Sequence, residues 1–216
     1  MISTDIKKRI ITSILLIILL IFMFLYSYIL VISLIVIALI SWIEFYGLTV
    51  KIFHKSNLLK FICKSFSLMY LMLLVSGILY IFSTKPELKL FLVYSVLVAI
   101  ASDIGGLTFG KLFKGKKLSK ISPKKTISGS IGSFVFSLLL IPIFVNLINH
   151  ETLSLLVITL LISFTTQLGD LFISFLKRKA KVKDTSDLLP GHGGILDRID
   201  GIIFALPIGY LFLNYF

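Results

Sequence analysis

Between Ile10 and Val50 the chain carries one formal charge, Glu44, in a run otherwise dominated by Ile, Leu, Val and Phe. Crossing a bilayer takes about 20 predominantly apolar residues, and helices do it because they satisfy their own backbone polar groups in hydrocarbon. The run therefore reads as two membrane helices. It is too long for the apolar core of a cleaved leader and shows no evident small-residue cleavage site. Glu44 must face a partner or water, since a carboxylate amid hydrocarbon is costly.

The same rule places seven spans, roughly at 10 to 26, 29 to 50, 61 to 83, 88 to 108, 127 to 148, 152 to 176 and 201 to 216. The expected fold is an all-α, polytopic integral membrane protein. It would form one transmembrane domain over 1–216, with helices alone to residue 100 and the chemistry after it. Of the 22 Lys and Arg, only Lys85 and Lys89 fall on one side of this arrangement. The basic side is cytoplasmic by the positive-inside rule, which puts the N-terminus inside and supports an odd number of spans.

Composition decides between partners. Hydrophobic residues make up 57% of the chain and the mean hydropathy is +1.05, too apolar for a soluble domain. The net charge of +12 comes from lysines clustered between apolar runs, so anionic lipid headgroups and phosphorylated substrates are the expected partners, with no nucleic acid. Cys63 is the only cysteine, which excludes an intramolecular disulfide and a cysteine-based zinc site.

Chemistry concentrates from Ser174 to Asp200, where basic residues, aspartates and a Pro190-Gly191-His192-Gly193-Gly194 turn lie between two apolar segments. Cations neutralise phosphate oxygens, aspartates hold magnesium, and glycine-rich turns let backbone amides approach anions. Gln167, Asp170, Ser174 and Lys177 recur at helical spacing on one face of the sixth segment. Asp197 and Asp200, three apart at the start of the seventh, project together, although an aspartate at a helix start also serves as a cap. Asp103 ends the fourth apolar run and is followed by Gly105, Gly106, Gly110 and a lysine-rich loop closing on Ser122-Pro123-Lys124-Lys125-Thr126. An ionisable residue there is a functional candidate, whereas the lysines alone also fit a loop contacting anionic lipid. His54 and His150 lack such company and receive no role.

Ser174, Lys177-Arg178, Lys183-Asp184, the Pro190 to Gly194 turn and Asp197-Arg198-Ile199-Asp200 fall at the spacings of the signature of phosphatidate cytidylyltransferases, the CDP-diacylglycerol synthases. Asp103-x-Gly105, Gly110-Lys111 and the Ser122 to Thr126 block resemble a second region of that family. The likeness is close from about Asp103 to Asp200. It departs at Ile127-Ser128, where Trp-Glu or Trp-Gln is common, and at Gly132-Ser133, a frequent Gly-Gly.

The resemblance implies transfer of CMP from CTP to phosphatidic acid at the cytoplasmic face of a bacterial inner membrane, by an enzyme that forms homodimers. On this reading Asp170, Asp197 and Asp200 bind magnesium, and Asp103 serves the same ion or a second cation such as potassium. Lys177, Arg198, Lys111, Lys124, Lys125 and Arg178 contact phosphates, with Ser122, Thr126, Ser174 and His192 completing hydrogen bonds. The lipid would enter through a groove between the sixth and seventh segments. A related membrane CTP-using transferase or kinase acting on an isoprenoid alcohol or ether lipid is the alternative enzyme. A secondary transporter fits less well, because no internal symmetry is evident and the charges gather at one surface.

Overall fold

A computed structural model describes residues 4–85, 88–119, 122, 125–148 and 151–213; Lys124, Pro123 and His150 lie outside them. The described residues are overwhelmingly helical. In order they form α1 (Thr4–Leu25), α2 (Ser27–Ile52), α3 (Asn57–Thr84), α4 (Lys89–Phe113), α5 (Ile127–Leu138), α6 (Ile141–Ile148), α7 (Thr152–Lys179) and α8 (Leu196–Leu213). Five stretches are long and apolar enough to cross a membrane: α2, α3, α4, α5 with α6, and α7; a shorter apolar run lies at Ile10–Leu25. The protein is an all-α, multi-pass membrane protein. Helix α8 carries Asp197, Arg198 and Asp200 in its first two turns, so its apolar part is short.

The chain divides into two compact units. The first comprises Met1–Thr84 with Leu176–Ile199, and the second Lys85–Phe175 with Asp200–Phe216. In the first, Tyr26 alone separates α1 from α2, its backbone extended at φ −124° and ψ 113°. Helices α2 and α3 are joined where the Trp42 indole N–H donates to the Lys64 carbonyl at 3.1 Å. The Lys64 ammonium lies 5.2 Å from the Trp42 ring centre and 5.0 Å from that of Tyr46, within cation–π range.

The second unit has its core in Phe91, Tyr94, Val98 and Ala99 of α4, Ile141 and Phe144 of α6, Leu155, Ile158 and Ile162 of α7, and Ala205 of α8. Hydroxyls tie the helices where lipid offers no hydrophobic drive between them. Tyr94 and Thr159 share a 2.5 Å hydrogen bond, Ser102 and Ser163 one of 3.0 Å, and Ser133 donates to the Ser102 carbonyl at 2.7 Å.

Two expectations change here. The fifth span is not one helix, because the chain turns at Leu139–Leu140 between α5 and α6. Asp103 does not end its helix either: α4 continues to Phe113, and Asp103 is an exposed residue within it. Gly105 and Gly132 are helical residues that let α4 and α5 touch. A Cβ on Gly132 would lie 2.7 Å from the Gly105 carbonyl oxygen and closer still to the Phe109 side chain. Gly132→Ala is therefore expected to destabilise the protein by about 1–3 kcal/mol through overpacking, read as a lower thermal unfolding midpoint in detergent. An unchanged midpoint would show that α4 and α5 can separate freely.

Candidate active site

In the first unit the end of α7, the loop from Ala180 to Ile195 and the start of α8 converge on Asp197. The Lys177 ammonium donates to Asp197 Oδ1 at 2.5 Å. Asp197 Oδ2 accepts from the backbone N–H of Thr185 at 2.8 Å and of Gly194 at 3.1 Å. The Thr185 hydroxyl stands 3.0 Å from the same oxygen and 2.8 Å from Glu44 Oε2, so its one proton serves two carboxylates. Only 3% of the Asp197 side chain is exposed. Burial alone would raise its pKa, but the Lys177 hydrogen bond, the Thr185 amide, the Lys177 charge and the Gly194 amide outweigh it and hold the carboxyl below its usual value.

The sign of that shift fixes a pH dependence. A carboxyl with a depressed folded pKa contributes stability that is fully present above its unfolded pKa of about 3.9 and is lost as pH falls through the lower folded value. Protection of the 185–196 backbone against hydrogen exchange, corrected for intrinsic rates, is accordingly expected to stay level from pH 8 to 5. Loss of protection already at pH 6 would mean that a group other than Asp197 sets the pH dependence of the loop.

The glycine turn is built as its sequence demands. His192 N–H donates to the Leu189 carbonyl at 2.9 Å, closing a four-residue turn with Pro190 second and Gly191 third. Gly191 has φ +76°, which the third position of a type II turn requires and which favours glycine. Arg198 anchors the turn, donating to the His192 carbonyl through Nε at 3.1 Å and a terminal nitrogen at 2.5 Å. From α1, the Thr12 hydroxyl donates to the Pro190 carbonyl at 3.1 Å, and Ser13 Oγ lies 3.3 Å from His192 Nε2. Lys183, Asp184, Asp187, His192 and Arg198 line a cleft of about 520 Å³ beside the turn. Arg178 is exposed at the end of α7.

The second unit holds the other predicted residues. Lys125 pairs with Asp170 Oδ2, and the Ser174 hydroxyl donates to Asp170 Oδ1 at 3.3 Å, as their shared helical face predicts. The chain leading to Lys125 folds back on itself: Leu118 N–H donates to the Lys125 carbonyl at 2.8 Å and Ile127 N–H to the Lys116 carbonyl at 2.9 Å. Lys125 N–H donates to the Ser122 carbonyl at 3.0 Å, and the Thr126 hydroxyl caps α5 by accepting from Gly129 N–H at 3.0 Å. Lys111 is exposed near the end of α4. Helices α7 and α8 meet where a Cβ on Gly169 would lie 2.6 Å from the Asp200 carbonyl oxygen, and Gly201 abuts Thr166. The lipid groove expected between these two helices is closed at that level. Asp200 is buried there, with Oδ1 accepting from Gly201 N–H at 3.0 Å. Among the described residues no three His, Cys, Asp or Glu side chains form a ready metal cluster.

Sequence reasoning missed the partners. Thr185 and Ser186 carry no signal in a polar loop, although both hydroxyls donate to Glu44. Ser130, which donates to Gln167 Oε1 at 2.6 Å, was equally silent. Gln167 itself is recognisable by its spacing from Asp170, and Glu44 by its isolation.

These features define a multi-pass membrane protein with buried carboxylates, fixed cations and a glycine turn at the ends of its helices. The chain belongs to the Cytidylyltransferase family, whose profile it matches over residues 2–216. It is 39% identical over 158 residues to a protein of Staphylococcus saprophyticus named phosphatidate cytidylyltransferase, covering 71% of this chain and 60% of that one. Proteins of the same name from Staphylococcus haemolyticus and Staphylococcus aureus are 38% and 39% identical over 157 and 159 residues, with the same coverage. The chain thus spans about 60% of the length of these curated relatives.

Proposed function

We propose that the protein is a phosphatidate cytidylyltransferase, transferring CMP from CTP to phosphatidic acid to give CDP-diacylglycerol and pyrophosphate. The observation that carries the proposal is the cleft of about 520 Å³ at the Pro190 to Gly194 turn, where Lys183 and Arg198 offer cations beside His192 and Asp184 and Asp187 add carboxylates to the same wall. Its volume falls in the range of small-molecule sites. The names of the relatives support the same substrates.

The reaction needs no strong general base. A phosphatidate oxygen, already anionic at neutral pH, attacks the α-phosphorus of CTP; that O–P bond forms as the bond from the α-phosphorus to the bridging oxygen breaks, and pyrophosphate leaves with the electron pair. The barrier lies in bringing two anions together and in the charge on the leaving group, which fixed cations lower. Arg198 and Lys183 would hold phosphate oxygens, with His192 adding a hydrogen bond. Asp197 we assign to holding Lys177 and the loop, since its side chain is 3% exposed and accepts from Lys177 and two backbone amides, whereas that of Asp170 is 31% exposed and meets only side chains. Lys125, together with Lys124, Lys111, Arg178, Ser122 and Thr126, would serve substrate phosphates.

Asp170 and Asp200 are the carboxylates we assign to magnesium. They offer hard carboxylate oxygens from two helices in contact, and magnesium commonly takes one or two carboxylates with substrate phosphates and waters. When bound, the ion would neutralise phosphate oxygens. Asp103, exposed on α4, would serve a second cation such as potassium. The basic loops support a cytoplasmic active site in a bacterial inner membrane, and homodimers remain the assembly the family suggests.

The test is detergent-purified protein with phosphatidic acid and CTP labelled in the cytosine, with magnesium added or withheld. Magnesium-dependent label in the lipid is the expected result. Label recovered only in CDP, with a phosphorylated alcohol as product, would instead identify a kinase.

A further inference from the structure

Glu44 lies within α2, about two turns before the helix ends at Ile52, and is 6% exposed. Its four acceptor positions are matched by four donors from the far end of the sequence. Oε1 accepts from the Ser186 hydroxyl at 2.6 Å and the Ile195 N–H at 3.1 Å. Oε2 faces the Thr185 hydroxyl at 2.8 Å and accepts from the Leu196 N–H at 2.8 Å. Ile195 and Leu196 open α8, where backbone N–H groups have no partner within the helix and the helix dipole favours a negative charge. The carboxylate therefore caps α8 from another helix, a task usually done by a residue next in sequence.

From these contacts we propose that Glu44 is a positioning residue: it fixes the start of α8 and, through Thr185, the carboxylate of Asp197 and hence the ammonium of Lys177. The role of that pair rests on the transferase reading above; the anchoring itself does not. The segment from Ala180 to Ile195 contains no helix or strand, so side-chain contacts must set where it sits. Thr185 is the link, because its hydroxyl reaches both carboxylates while its N–H is committed to Asp197. Gly194 completes the approach, since a Cβ there would lie 2.5 and 2.7 Å from the two Glu44 oxygens. Glutamine keeps the size of Glu44 but presents an NH2 to two of the four donors.

The experiment compares wild type, Glu44→Gln and Ser186→Ala, full chain in detergent, by hydrogen exchange and by initial rates. In Glu44→Gln, peptides covering 185–196 should exchange about tenfold faster or more, as local opening without its charge-assisted bonds requires, while α4 and α7 stay protected. The maximal CMP transfer rate should fall at least about tenfold with KM for phosphatidic acid little changed, the pattern of a lost transition-state contact. Ser186→Ala removes one donor and should loosen the same peptides less. Unchanged exchange at 185–196 in both variants overturns the proposal, and so does acceleration spread equally over all helices. Localised loosening with an unaltered rate would leave Glu44 a cap and overturn its link to Lys177. If wild type itself transfers no CMP, the transferase reading fails while exchange still judges the anchor.

Discussion

If the protein transfers CMP as proposed, Asp197→Asn is expected to lower that transfer by roughly 100-fold. The pair it breaks is buried, with 15% of the Lys177 side chain and 3% of the Asp197 side chain exposed. Removing one partner of a buried ion pair costs about 3–5 kcal/mol, because the other charge stays in a medium that solvates it poorly. If about 3 kcal/mol of that appears in the transition state, the rate falls by roughly two orders of magnitude. Asparagine keeps the shape of the side chain, and its oxygen can still accept from the Thr185 and Gly194 amides that now bond Oδ2. The loop should therefore stay in place while Lys177 loses its counter-charge. Initial rates with labelled CTP at saturating magnesium, with the unfolding midpoint measured alongside, separate the two effects. A rate near that of wild type would show that Lys177 needs no carboxylate to do its work.

Two ion pairs, one in each unit, mark where sequence reading ends. The face of Asp170, Ser174 and Lys177 is legible because helical spacing is a local property, and the Ser174 bond to Asp170 follows from it. Which cation each aspartate takes is not local. Asp170 is paired with Lys125 from the loop before α5, and Lys177 with Asp197 twenty residues on. Glu44 shows the same limit more sharply: hydropathy requires a partner for it, yet its nearest donor in the sequence, Thr185, is 141 residues away. Five of the seven expected spans were legible because about 20 apolar residues leave few alternatives. The turn at Leu139–Leu140 was not, since an apolar run looks the same whether one helix or two cover it. What the glycines of α4 do is equally non-local: their spacing does not show that Gly105 lets Gly132 of α5 approach closely.

Asp170→Asn should act differently from Asp197→Asn, and the difference tests the division of labour between the two carboxylates. Asp170 is 31% exposed, so solvent screens its pair with Lys125, and the loss of that pair alone should cost little in stability. What the substitution removes is a hard anionic oxygen, which magnesium prefers to a neutral amide. Altering even a residue that only orients a metal ligand typically costs 10–100-fold in metal affinity or activity, and a lost ligand should cost at least as much. The magnesium needed for half-maximal CMP transfer is therefore expected to rise by at least about tenfold, with part of the lost rate restored at high magnesium. Asp197→Asn should leave that concentration nearly unchanged, because its carboxylate is engaged by Lys177 and two backbone amides. Magnesium titrations of both variants, run in parallel at fixed CTP, give the answer. If Asp197→Asn shifts the magnesium requirement and Asp170→Asn does not, the roles assigned to the two aspartates are exchanged, and Lys125 rather than a metal is the partner that Asp170 serves.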